Sequence, residues 1–473
     1  MTARLDAVVV GSGPNGLAAA ITLAQAGRSV LVVEARDTIG GGCRTDELTL
    51  PGFRHDVCSS AHPLGVSSPF FRSIGLHEKV DFLQPDASIA HPFVGGEAMI
   101  VERDIEATAQ RLGGDDKAYV ALLKPALHRH DTLLGEVLGP PHIPRHPLLL
   151  ARFGVPGLRS ATTVASGFTT DNARAAFAGC AAHAMLPPTA PLTAAFGVLL
   201  LATAHVRGWP VVASGSQAIA DALAAGLQRL GGRIETGREI RRAADLPAAS
   251  VHLFDTGPRQ MLDICGEALP RLYRGQLEHF RRGPGVFKID YALDGPVPWS
   301  DPAVLRAATV HVGGAAEEIA AAEEEVFAGV IPDRPFLIAV QASVADSSRA
   351  PGGGHTLWAY CHVPHGSAVD MTERIERQLE RFAPGFRDRV LARHITTPRM
   401  LEAYNPNCQG GDISGGVQNW RQFLTRPAVR WSPYLTPNPR IAICSSSSPP
   451  GGGVHGMCGY HAARAVLRRW SRN

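Results

Sequence analysis

"VVVGSGPNGLAAAITLAQAGRSVLVVEARDTIGGGCRT", residues 8–45, sets glycines among dense aliphatic residues at the start of a 473-residue chain. The run 5–10, "LDAVVV", reads as a strand buried on both faces. "GSGPNG" follows at once and places Gly11, Gly13 and Gly16 in G-x-G-x-x-G spacing, with Pro14 and Asn15 between them. "LAAAITLAQAG" then reads as a helix stopped by Gly27, and "SVLVVEA" (29–35) as a second strand bringing Glu34 and Ala35 to its end. Gly11 permits the tight strand-to-helix turn, Gly13 lets backbone approach a diphosphate, and Gly16 lets helix and strand touch. The helix N-terminus offers partial positive charge to phosphate. Glu34 is placed to accept hydrogen bonds from a ribose diol. A merely structural glycine turn would leave that acid unexplained. The unit therefore predicts a dinucleotide cofactor, without separating NAD from FAD.

Composition bounds the rest. Hydrophobic residues make up 45% and charged residues 19%, enough for a large core and too ordered a composition for a disordered chain. A formal charge of +3 gives no argument for nucleic acid. None of the eight cysteines forms a C-x-x-C pair, so neither a redox dithiol nor a zinc ribbon is indicated, and reduced, buried thiols in a cytoplasmic protein are expected. The first strand begins too early to leave room for a secretory leader, and no apolar run reaches membrane-spanning length. "LTAAFGVLLLATAHV" (192–206) reads as a buried helix. No H-E-x-x-H or similar spacing organises the 19 histidines, so no metal is expected.

Further along, "PVVASGSQAIADALAAGLQRLGGRIETGREIRR" (210–242) reads as turn, amphipathic helix and short strand, and "VHLFDTGP" (251–258) as another sheet strand. Alternating strands such as "VFKIDYAL" and "TLWAYCHV" suit a sheet with one covered face and one face lining a cavity. "SSRAPGGGH" (347–355) reads as a flexible hairpin connection. "RHPLLLARFGVPGLR" (145–159) mixes cationic and apolar residues as a peripheral membrane segment does, although a domain lid is the simpler reading. The last unit, 439–470, reads as strand, serine-glycine turn and helix.

The second glycine cluster, "TIGGGCRTDELTLPGFRHD" (38–56), resembles that of flavin-binding oxidoreductases. The resemblance implies FAD, with Gly41, Gly42 and Arg44 against its diphosphate. "TPRMLEAYNPNCQGGDISGG" (397–416), "PYLTP" (433–437) and "GGGVHGMCGY" (451–460) are similar to the phytoene dehydrogenase-related branch, which includes the pyridine nucleotide-disulphide oxidoreductase domain-containing protein 2 group. That resemblance implies an α/β fold: a Rossmann-like FAD-binding domain of the glutathione reductase and amine oxidase type, interleaved with a substrate domain of mixed sheet plus helices. The FAD domain is expected in three pieces (1–60, 208–283 and 400–473), with a helix-rich lid at 61–207 and a substrate sheet at 284–399. Ile240 is expected beside the adenine, Ser446 near the ribityl chain, and Gly453 and Val454 at the flavin ring. "SSSSPP" (445–450) departs from the branch, and Pro449 stands where relatives carry histidine.

The implied activity is desaturation of a hydrophobic isoprenoid or lipid, with oxygen or a quinone as electron acceptor, since no second glycine fingerprint serves NAD(P)H. An amine oxidase and a flavin-binding regulatory protein with little turnover are the alternatives. Candidate proton acceptors are His455, Tyr434 and Asp412, with Tyr404 and His62 behind them, each against the plainer reading of a structural hydrogen bond. The oligomeric state is open, a homodimer included.

Overall fold

The computed structural model describes residues 4–471. Leu5–Val10 is the centre of a five-stranded parallel sheet, ordered 441–443, 249–254, 5–10, 30–33 and 233–235. Its alternate residues serve two cores. Ala7 and Val9 face helices Pro14–Gln25, Gln217–Arg229 and Met457–Trp470, whereas Val8 and Val10 face Met261, Ile264 and Tyr273. Burial on both sides explains why this strand is a continuous aliphatic run. The first helix opens with Pro14 at its first position, where a missing N–H costs nothing, and the chain leaves it through Gly27 at φ +74°.

A seven-stranded mixed sheet forms the other half, ordered 390–396, 285–293, 355–363, 337–340, 307–312, 87–91 and 99–101. The alternation expected of its strands is real. Phe287, Ile289, Tyr291, Leu357, Ala359 and Cys361 point to one core, closed by Ile375, Leu379 and Phe382 of helix Thr372–Phe382. Val286, Ile338, Val340, Trp358 and Tyr360 point the other way. The stretch 61–207, read as helix-rich, also supplies the two outer strands of this sheet, Ala87–His91 and Met99–Val101. Both are short runs; 99–101 pairs locally with 87–91, whereas 87–91 joins the sheet through a partner more than 200 residues away (Ala87 with Ala307), beyond the reach of local pattern. Helix Thr193–Arg207 is buried among Asp171–Ala181, Asp116–His128 and Pro147–Gly157, as its apolar sequence requires. In the last of these, Leu149 and Phe153 are buried while Leu148 and Val155 stand exposed.

The segment 347–355 connects the antiparallel strands 337–340 and 355–363, with Pro351, Gly352 and Gly353 exposed at its tip and Arg349 anchored at its base. Arg349 is 1% exposed, donating from Nε to Asp346 at 2.9 Å and from Nη1 to Asp56 at 3.1 Å. A guanidinium taken out of water needs such partners, and they fix the turn. Burial alone would raise the Asp56 carboxyl, but Arg349 and donors from Ser216, Ser60 and Thr45 hold it below the usual range. All eight cysteines are free thiols. Among the described residues no helix is long and apolar enough to cross a membrane.

The first and last helices touch at Gly459, where a Cβ would overlap the carbonyl oxygen of Asn15. Gly459→Ala should therefore lower stability by about 1–3 kcal/mol, as overpacking of a close helix contact does. Urea midpoints of the variant and wild type measure this, and an unchanged midpoint would refute the contact.

Candidate functional site

The sheet ends and the glycine turns converge on one cleft of about 450 Å³, within the range of cofactor and ligand sites. Gly11, Gly13, Pro14 and Asn15 form its first wall, with Gly16 behind them. Gly11 has φ +104° and donates its N–H to Val33 O at 2.8 Å, which turns the chain out of the sheet. A Cβ at Gly16 would overlap Gly11 O, so helix and strand meet only because position 16 is glycine. Gly41 folds over this turn, since its own Cβ would lie 3.0 Å from Gly13 Cα.

Glu34 is 7% exposed and already engaged. Its Oε2 accepts from Ser12 N (2.9 Å) and Ser12 Oγ (2.6 Å), and its Oε1 from Arg36 N (3.0 Å) and Arg44 Nη2 (3.3 Å). Four donors fill the acceptor capacity of a carboxylate. Glu34 is thus less open than the spacing implies, and a ribose hydroxyl must displace Ser12 Oγ or Arg44. Arg44 also donates to Thr38 O (2.6 Å) and lies over the Tyr404 ring at 5.6 Å, so it closes the loop 38–44 onto the acid.

Asp255 is a site residue that the motif does not reveal. It follows strand Ala249–Phe254, lines the cleft, and accepts from Gly16 N at 2.9 Å. Burial, reinforced by the neighbouring Glu34, drives its carboxyl well above the ordinary range, against the opposing hydrogen bonds of Gly16 and Gly13. Position explains its role: a strand beside the first strand of a parallel sheet must end at the same crevice.

At the other end, Ser446, Gly452, Gly453 and Val454 line the cleft, ahead of helix Met457–Trp470. Ala35, Gly42, Ile240 and Tyr404 line it too. Two of the three candidate proton acceptors, Tyr434 and His455, brace this turn. Tyr434 donates its hydroxyl to Pro449 O at 3.0 Å, stacks on His461 and does not reach the cleft. His455, pushed down to about 4 by burial, accepts from Met457 N at 3.1 Å through Nδ1 and also stays behind the turn. Both fall outside the cleft because they follow or precede the glycines whose bare backbone forms its surface. Asp412 reaches the cleft, but its oxygens are taken by Gly283 N (3.0 Å) and Ser414 N (2.8 Å). His62 also lines the cleft, with Nε2 on Ser216 Oγ at 2.7 Å.

The residues present fit a dinucleotide flavin. Two bare-backbone turns, around Gly13 and around Gly453, share one cleft, and the buried Oδ1 of Asn15 and Oγ1 of Thr256 along it have no protein partner. FAD has the two-ended shape that such a cleft takes, with a diphosphate for the first turn and a flat ring for the second. Among the described residues no cluster of three or more metal-ligating side chains occurs.

Comparison with known proteins agrees. Residues 9–73 match a family model described as an NAD(P)-binding Rossmann-like domain. In overall fold the chain resembles an oxidoreductase from Methanosarcina mazei, with TM-score 0.67 and 16% identity over 98% of this chain and all of that one. It also resembles a putrescine oxidase, with TM-score 0.62 and 19% identity over 99% and 100%. The chain thus shares its fold with these proteins, and its two bare-backbone turns on one cleft suit FAD. In sequence the chain is similar to pyridine nucleotide-disulfide oxidoreductase domain-containing protein 2 of Rattus norvegicus, 25% identical over 98% of this chain and 93% of that protein.

The raised Asp255 carboxyl gives a test with a defined sign. Its folded-state pKa is raised, so the folded protein retains a proton that the unfolded chain releases, and stability is lost as pH rises above the ordinary carboxyl range. Asp255→Asn removes that loss. The variant should gain on wild type in urea midpoint between about pH 5 and pH 8 while still binding FAD. A constant difference across that range would contradict a protonated Asp255.

Proposed function

We propose that the protein is an FAD-dependent dehydrogenase of a hydrophobic small molecule, an isoprenoid or lipid, desaturating a C–C bond. One observation carries this reading: the glycine cradle opens without interruption into a cavity walled by Leu64, Met185, Phe196, Leu200, Ile338 and Val340. FAD bound in the cradle would supply a two-electron acceptor. The chain's own work is then to bind, orient and keep dry. The aliphatic wall removes apolar substrate surface from water at about 25 cal/mol per Å² and excludes water from the reacting region. The Gly452–Val454 turn would hold the ring against bare backbone. The start of helix Met457–Trp470 would add partial positive charge nearby, which would favour an electron-rich reduced ring. Oxygen or a quinone is the proposed terminal acceptor.

The amine oxidase reading draws on the putrescine oxidase fold but lacks a suitable aromatic arrangement. The two cavity aromatics on the sheet, Trp358 and Tyr360, meet edge-to-face at 80° and do not form two parallel walls. A cation between parallel faces would be better held than one at such an edge.

Anaerobic mixing of the FAD-loaded protein with isoprenoid, lipid and amine panels tests the assignment. Bleaching of the oxidised flavin band by isoprenoids or lipids is expected. Bleaching by amines alone would replace the proposed substrate class, and reduction by dithionite but by no panel member would favour a regulatory flavoprotein. Leu200→Asp, which puts a charge on the apolar wall, should slow reduction by the best hydrophobic substrate at least about tenfold. The flavin spectrum should stay unchanged.

A further inference from the structure

Beside the apolar residues Leu64, Phe196, Leu200, Ile338 and Val340, the cavity carries polar groups along its sheet wall, Thr309 and Tyr360. Rows of directly opposed residues cross the mixed sheet, and one row reads His311, Ile338, Tyr360. Residues opposite one another share a face, so His311 and Tyr360 stand on the same side as the cavity-lining Ile338 and Trp358. His183, from the turn after helix Asp171–Ala181, lies against this row and itself lines the cavity. Its Nε2 is 3.0 Å from Nε2 of His311, with the rings 5.1 Å apart.

The pair is built into the fold. A Cβ at Gly179 would lie 2.5 Å from His311 Nδ1, so this ring is accommodated by a glycine inside a helix, where glycine weakens helix formation. Trp209 flanks His183 at 5.6 Å between ring centroids, and Tyr360 packs on His362, whose Nδ1 is held by Glu323 at 2.7 Å. Burial keeps both members of the pair neutral, with His183 lowered to about 3 and His311 well below its ordinary value. Two neutral imidazoles sharing an Nε2–Nε2 bond hold one proton between them, so Nδ1 of His183 remains for a ligand. Neither that nitrogen nor the Tyr360 hydroxyl is hydrogen-bonded to protein among the described residues.

We infer that His183 and Tyr360 form a polar port that takes a hydroxyl or carbonyl oxygen of the substrate, with His311 as the positioning residue that orients His183. The inference deepens the proposed function and rests on it: the substrate is an oxygenated isoprenoid-like molecule, not a plain hydrocarbon. A site that offers hydrogen-bonding groups inside an apolar cavity discriminates strongly against the analogue lacking their partner, because the groups are then left desolvated and unpaired. Either tautomer of the histidine pair serves an oxygen, since a hydroxyl both donates and accepts and a carbonyl can accept from Tyr360.

Binding separates this inference from the flavin chemistry. Farnesol and the hydrocarbon farnesene are titrated into the oxidised, FAD-loaded protein and followed by tryptophan fluorescence, without turnover. Farnesol should bind at least about tenfold tighter. Tyr360→Phe and His183→Gln should each narrow the ratio to within about threefold by weakening farnesol alone. His311→Asn, which can still offer a hydrogen bond to His183, should retain more of the ratio than His311→Leu, a difference that a space-filling role would not produce. Equal binding of the two ligands by wild type would overturn the port and leave the flavin assignment standing. Tight binding with an unaltered ratio in both Tyr360→Phe and His183→Gln would overturn the residues named. Failure to take up FAD would instead overturn the reading beneath it.

Discussion

The contact between the first helix and the last governs the molecule. Helix Met457–Trp470 lies so close to the start of helix Pro14–Gln25 that only glycine fits at 459, against the Asn15 carbonyl. Residues more than 440 positions apart are thereby held at backbone contact, and what precedes each helix is held with them. Before one stands the Gly11–Gly16 turn; before the other stands the Gly451–Gly453 turn. A cleft needing bare backbone at both ends exists because two helices can touch without side chains between them. The parallel sheet reinforces this, since strands 5–10, 249–254 and 441–443 are neighbours and all end at the same crevice.

Within that crevice two acids have different surroundings. Glu34 accepts hydrogen bonds from Ser12, Arg36 and Arg44. Asp255 receives the Gly16 amide but is otherwise desolvated beside Glu34, and the neutral acid wins there. The difference bears on phosphate. A second negative charge under the helix N-terminus would cancel the attraction that the backbone amides provide. Burial lets the chain keep a well-packed carboxyl there without that repulsion.

How much of this was legible in the sequence depends on how far each signal reaches along the chain. The opening unit was readable because strand, turn, helix and second strand lie within 35 residues and each glycine has a local reason. The two faces of strands 285–293 and 355–363 were readable because alternation is a property of the strand itself. Asp255 was hidden because its meaning comes from lying beside a strand more than 230 residues earlier. The signal available was its place just past a parallel-sheet strand. Tyr434, His455 and Asp412 were attractive as titratable groups near glycine turns, but sequence proximity to a turn does not tell which side of it a side chain occupies. Arg349 shows the same limit. Its glycine-rich neighbourhood reads as loose, while Asp56 and Asp346, which pin it, arrive from elsewhere or are ordinary acids until paired.

The same reasoning explains why a polar group belongs on the sheet wall and not on the helical wall of the cavity. On a sheet face, side chains from neighbouring strands stand side by side at about 5 Å, so a hydrogen-bonding residue can be flanked by aliphatic or aromatic neighbours that exclude water from it. His311, Ile338 and Tyr360 have this alternation across three strands. The helical side contributes Phe196, Leu200 and Met185, which fill space without directing it. His183 is the exception from that side, and it is the one that reaches across to bond with the sheet. An imidazole bonded to a second buried imidazole has a fixed ring plane, which a free side chain in an apolar cavity lacks. The cavity thus sets one fixed polar wall opposite a yielding apolar one, both continuous with the glycine cradle.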